Sequence, residues 1–179
     1  MPIAVRDRAD LITDGIAAYI RVQADDRGRG VRAALFLVNG QAEPLDFVFS
    51  RATLPGGVLW RIADARRHAT IALVRTLFRA CPGRVDVLLA RAEEVPSQIF
   101  SDDLEINVTC ARLSTDEASG VGVTETVERL DDQLQVFWTG AAPDPVGTAR
   151  RLVDRLARRG LLTEPFERAA AGLNEALGP

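Results

Sequence analysis

His68 and Asp64 stand four residues apart in WRIADARRHATIALVRTLFRAC, residues 60–81, and His68 is the single histidine of the chain. At helical spacing the Asp64 carboxylate can orient the imidazole and make a general base of it. The sequence fixes no serine or cysteine nucleophile beside the pair, so it reads first as helix decoration. A second candidate is the carboxylate group Glu93, Glu94, Asp102, Asp103 and Glu105, a possible oxygen set for Mg²⁺ or Ca²⁺. Its spacing matches no loop of derivable metal geometry, and a solvated connection accounts for it, so no metal is assigned. GVGVTE, beginning at Gly120, lacks the third glycine and the following helix that a dinucleotide site needs. No cofactor is expected.

All 22 basic residues are arginine, and there is no lysine. Schiff-base chemistry, a phosphate-loop lysine and a Ser–Lys pair are therefore impossible within this sequence. Arginine stays protonated at ordinary pH and cannot serve as a general base. Proton transfer is left to one His, two Cys, Tyr19 and the carboxylates. An enzyme built on His68 or on the acidic group is accordingly the third choice of function.

The elements that would carry these residues follow from periodicity. IAAYIRVQ alternates and follows Gly15, which favours a strand over 16–23, although Ile12, Ile16, Tyr19 and Ile20 also fit a helix. VRAALFLVNG and PLDFVFSR read as strands joined through NGQAEP, giving an antiparallel meander. A long helix is predicted from near Gly57 to the CPG stop at 81–83. RVDVLLAR is a buried strand, EEVPSQIFSDDLE a loop or short helix, and INVTCARL another strand. VGVTETVERL and QLQVFWTG pair about Asp131–Asp132. Two amphipathic helices close the chain, with Gly160 between them. The fold class is α/β (α+β): a meander, a long central helix, further strands and a C-terminal helical pair. A length of 179 residues suits a single domain over 1–179, with its core in about 15–140 and the helical pair in about 145–177.

On the long helix, Arg61, Asp64, Ala65, His68, Ala72, Arg75 and Arg79 make a polar stripe. Leu59, Ile62, Ala63, Leu73, Val74 and Leu77 lie opposite, flanked by Trp60, Ile71 and Phe78. Arg66 falls inside the apolar arc, so it must snorkel or find a carboxylate. Charge is segregated: residues 57–84 carry six Arg against one Asp, and residues 92–132 eleven Asp or Glu against two Arg. Residues 146–159 carry five Arg against one Asp. Either the acidic connections neutralise the basic helices within the fold, or the arginines face a partner. The candidate binding residues are Arg61, Arg66, Arg75, Arg79, Arg150, Arg151, Arg155, Arg158 and Arg159.

A hydrophobic fraction of 47%, a charged fraction of 26% and a formal charge of −3 describe an ordinary soluble globule with no global pull towards polyanions. No apolar run suits a signal peptide or a spanning helix, and two cysteines make neither a disulfide framework nor a metal spacing. A cytoplasmic protein without membrane contact is expected.

The order strand, strand, strand, long helix, strand resembles the opening of RNase H-like domains. With a helix at 16–23 the order is similar to roadblock or longin-type, profilin-like domains, and VRAALFLVNGQAEPLDF, residues 31–47, is similar in style to a roadblock hairpin. An active RNase H-like nuclease needs carboxylates inside its central strands to clamp two divalent ions. IAAYIRVQ and RAALFLVN have none, and RVDVLLAR offers only Asp86 near its start. The first resemblance therefore implies an inactive relative. With no chemical site assembled, the first reading is a non-catalytic adaptor or regulatory subunit acting through a protein partner or as a homo-oligomer. The alternative is a nucleic-acid-associated protein with an inactive nuclease-like fold.

Overall fold

The computed structural model describes residues 15–25, 28–55, 61–81, 83–100, 106–115 and 121–178. Strands β1 (Ile16–Ala24), β2 (Gly30–Asn39) and β3 (Pro44–Thr53) form the antiparallel meander expected from the sequence. Helix α1 (Ile62–Ala80) returns the chain to β4 (Val87–Arg91), which pairs parallel to β1, and β5 (Thr109–Ser114) pairs parallel to β4. Strands β6 (Glu125–Arg129) and β7 (Gln135–Thr139) form the predicted hairpin, with β7 antiparallel to β5. The result is one seven-stranded sheet ordered β3-β2-β1-β4-β5-β7-β6. Helices α2 (Thr148–Arg158) and α3 (Glu164–Leu177) follow. Gly160, at φ +66°, makes the turn between them in a backbone region that favours glycine.

The period-two pattern of β1 explains its central place. Ile16, Ala18, Ile20 and Val22 pack with β2, β4 and the Leu73–Val74–Leu77 face of α1. Ala17 and Tyr19 point to the other face, against Leu152, Leu156, Phe166 and Leu173 of α2 and α3. The sheet is thus covered by α1 on one side and by α2 and α3 on the other, which is why its middle strands are apolar on both faces.

The structure corrects the faces of α1 read from the sequence. The helix starts at Ile62, while the predicted start near Gly57, together with Leu59 and Trp60, lies outside the described residues. Ile62 is 67% exposed and Ala63 is exposed, although both were assigned to the apolar arc, and Ala65 is buried, although it was assigned to the polar stripe. Arg66 is exposed and so reaches water, one of the two outcomes that its place in the sequence allowed. The physical reason is that the first turn of α1 overhangs a cleft at the sheet end. Burial begins at Ala65 and continues through Ala69, Thr70, Ile71, Leu73, Val74 and Leu77.

Candidate functional site

In an open α/β sheet, ligands approach the carboxyl ends of the parallel strands. Here β1, β4 and β5 deliver an arginine each to that rim. Arg21 comes from β1, where its residue is 8% exposed. Arg91 closes β4, and Arg112, 3% exposed, sits in β5. Each meets a glutamate. Arg21 Nη1 lies 2.9 Å from Glu94 Oε1, and Arg91 Nε lies 2.6 Å from Glu93 Oε1 while its Nη1 donates to Glu167 Oε1 of α3. Arg112 donates from Nε and Nη2 to the two oxygens of Glu125, both at 2.6 Å. Its Nη1 reaches the carbonyls of Ala92 and Val95, and its guanidinium covers the Phe137 ring at 5.3 Å. This buried pair is saturated, the condition under which such a pair is tolerated.

The carboxylates at both ends of these strands are structural, Asp86 at the amino end and Glu94 at the rim. Asp86 Oδ2 accepts the Ile16 N–H at 2.9 Å where β1 begins. Glu94 Oε2 accepts the Val22 N–H at 3.1 Å where the β1–β4 ladder has ended. Burial raises the Glu94 pKa, while the Val22 N–H and the guanidiniums of Arg21 and Arg91 oppose the shift and Glu93 adds to it. Among the described residues no three His, Cys, Asp or Glu side chains converge on a possible metal position. Strands β1, β4 and β5 contain no carboxylate, and the glutamates at their ends face guanidiniums. These residues do not fit the two divalent ions that an RNase H-like nuclease clamps. Asp102, Asp103 and Glu105 of the acidic group, and Gly120, lie outside the described residues.

A cleft of about 460 Å³ opens between this rim and the first half of α1. Val22, Val31 and Ile99 give it an apolar floor, Glu93 and Glu94 form one wall, and Arg66 and Arg67 stand on the other. Arg91 and Arg21 already hold the two glutamates. Arg75 and Arg79 flank a separate groove of about 330 Å³ with Phe78 and residues 106–108. Arg61 is exposed ahead of the helix, as are Asp64 and His68 on its first turns.

The arginines of the C-terminal helix are not brought to this cleft, because α2 covers the opposite face of the sheet. Arg150, expected to face outward, instead donates to Glu128 Oε2 at 2.7 Å and Asp154 Oδ1 at 2.9 Å. Glu128 also accepts the indole N–H of the buried Trp138. Glu128 of β6 thus neutralises one arginine of this helix, Arg150, within the fold. Arg151, Arg158 and Arg159 are exposed, and Arg155 is half-buried. Sequence reasoning missed Arg21, Arg91, Arg112 and Glu125. The available signal was an arginine inside each of the apolar strands YIRV, LLAR and CARL.

No protein-family model matches the chain, and no curated protein matches it. Its backbone is similar to that of an endonuclease V from Streptomyces avermitilis. The identity is 11%, the match covers 94% of this chain and 89% of the other, and the TM-score is 0.57. It is similar also to Ciona intestinalis endonuclease V in complex with a 24mer DNA containing an inosine followed by a ribo-adenosine. There the identity is 8%, the coverage 97% and 91%, and the TM-score 0.54. Of the two element orders that the sequence allowed, the strand at β1 and these neighbours select one: the chain has an α/β fold of the RNase H-like kind seen in endonuclease V.

Proposed function

We propose that the protein binds nucleic acid on an RNase H-like scaffold without cutting it. The observation that carries this reading is the exchange at the strand ends. Where metal-dependent cleavage needs carboxylates inside the central strands, β1, β4 and β5 present Arg21, Arg91 and Arg112. The cleft beside them has Arg66 and Arg67 at its edge, and both of its glutamates already lie against other arginines. A phosphate backbone entering this cleft meets guanidinium donors first. The neighbours are nucleases, one of them holding DNA, and so favour this reading over the adaptor role, which finds no support among them.

The candidate residues divide accordingly. Arg66, with Arg61 nearby, belongs to the proposed contact, and Arg75 and Arg79 extend it along α1. Arg151, Arg155, Arg158 and Arg159 lie on the far helix and are expected to contribute little. Arg150 serves the fold. Fluorescence anisotropy of labelled DNA and RNA, with native protein and the Arg66→Ala/Arg67→Ala variant, tests the assignment. The variant should bind more weakly to every sequence and lose about one to two units of the log–log salt slope. An affinity and slope equal to those of the native chain would remove the cleft from the account.

A further inference from the structure

The strongest feature outside the cleft is the face of the edge strand β3. Phe47, Phe49 and Arg51 share its parity and point the same way. Their partners across the β2–β3 register are Phe36, Ala34 and Arg32. The inner part of this row is fixed. Arg168 lies over the Phe36 ring at 5.0 Å, and Phe47 packs on Gly172 of α3, where a Cβ would come within 2.9 Å of the ring. Phe49 sits at the open end, its ring 5.8 Å from that of Phe47, and is 45% exposed. Its cross-strand partner is only an alanine, so no large side chain opposite covers the ring.

The next pair along the strands places two like charges opposite one another. Arg32 faces Arg51, an arrangement that destabilises an antiparallel pair unless something screens it. Arg32 gives Nη1 to the Gly178 carbonyl and Nη2 to Asn174 Oδ1, but its Nε is buried without an acceptor. Arg51 is exposed and has no carboxylate partner among the described residues. A cleft of about 210 Å³ opens between the two arginines, bounded also by Thr53, Leu177 and Asp25. Asp25 Oδ1 is occupied by the Arg29 N–H. Two residues along a strand separate the aromatic ring from the guanidinium pair by about 7 Å, comparable with the reach from a nucleobase to its own phosphate.

We propose that this face of β3 is a second contact for single-stranded nucleic acid, with a base stacked on Phe49 and the adjoining phosphate held between Arg51 and Arg32. The inference rests on the nucleic-acid reading above and adds a site to it. An exposed aromatic beside arginine is the sequence-tolerant platform by which single strands are gripped, and an anion between Arg32 and Arg51 would relieve their repulsion.

The test is anisotropy with a fluorescein-labelled oligothymidylate of about 16 nucleotides, circular dichroism confirming the fold of each variant. Phe49→Ala should weaken binding about fivefold or more. Arg51→Ala should lower the log–log salt slope by about 0.7. Phe49→Trp should keep its affinity and show indole fluorescence quenched on titration. Native binding that neither Phe49→Ala nor Arg51→Ala changes would overturn the platform and leave the α1 cleft standing. No binding by the native chain would remove both. A dimer that Phe49→Ala dissociates at unchanged oligonucleotide affinity would assign the strand edge to a second copy instead, and would also overturn the proposal.

Discussion

Glu94 holds Arg21 and β1 together: one carboxylate oxygen lies 2.9 Å from the Arg21 guanidinium, and the other accepts the Val22 N–H at 3.1 Å. A carboxylate at this end of the sheet thus completes a strand and neutralises a buried cation. Burial nevertheless outweighs these partners and raises its pKa. The folded state then keeps the Glu94 proton to a higher pH than the unfolded chain does. Stability from this group is greatest below its ordinary value of 4.5 and declines as pH rises through the raised folded value. Glu94→Gln resembles the protonated form, so its stability relative to the native chain should improve as pH rises from about 4.5 towards neutrality. Urea denaturation across that range measures the gap, and a gap moving in favour of the native chain would mean that Arg21 dominates over burial.

Arg112 and Glu125 form the buried pair whose loss should cost most. Glu125→Ala leaves a guanidinium in the core without its carboxylate and should destabilise by about 3–5 kcal/mol. The double variant Arg112→Met/Glu125→Leu should recover most of that loss, because the desolvation of both charges is removed with the pair. A double variant as unstable as the single one would show that the contacts to Ala92, Val95 and Phe137 matter more than the charges.

Leu73 is 4% exposed at the centre of the α1 contact with the sheet. Leu73→Ala should cost about 2–5 kcal/mol and shift one cooperative transition without splitting it. A second transition in calorimetry would contradict the expectation of a single domain over residues 1–179.

His68 is exposed on α1, so His68→Ala should change stability by no more than about 0.5 kcal/mol and leave oligonucleotide affinity intact. A folded variant that loses an activity of the native protein would restore the acid–base reading.

The strands and helices were legible because burial imposes a period on the chain. The alternation of Ile16, Ala18, Ile20 and Val22 announced β1, and Gly160 announced the break between α2 and α3. The phase of α1 was legible at Leu73 and Leu77 but not at Ile62, because nothing local says where a helix runs past the edge of its sheet. The rim was illegible for a related reason. Arg21 meets Glu94 across 73 positions, and Arg91 meets Glu167 across 76. Such pairs arise from how the strands and helices come together, which residue spacing does not encode. What the sequence did reveal was the lack of carboxylates inside the central strands, the feature on which the functional reading still turns.

The most direct test of that reading is one reaction in which labelled single-stranded and duplex DNA and RNA are incubated with the native protein and Mg²⁺ or Mn²⁺. Bound and cleaved fractions are read from the same samples across a salt series. The account predicts binding that weakens steeply with salt and strands that remain intact. Metal-dependent cleavage by the native protein, or no binding even at low salt, would contradict it.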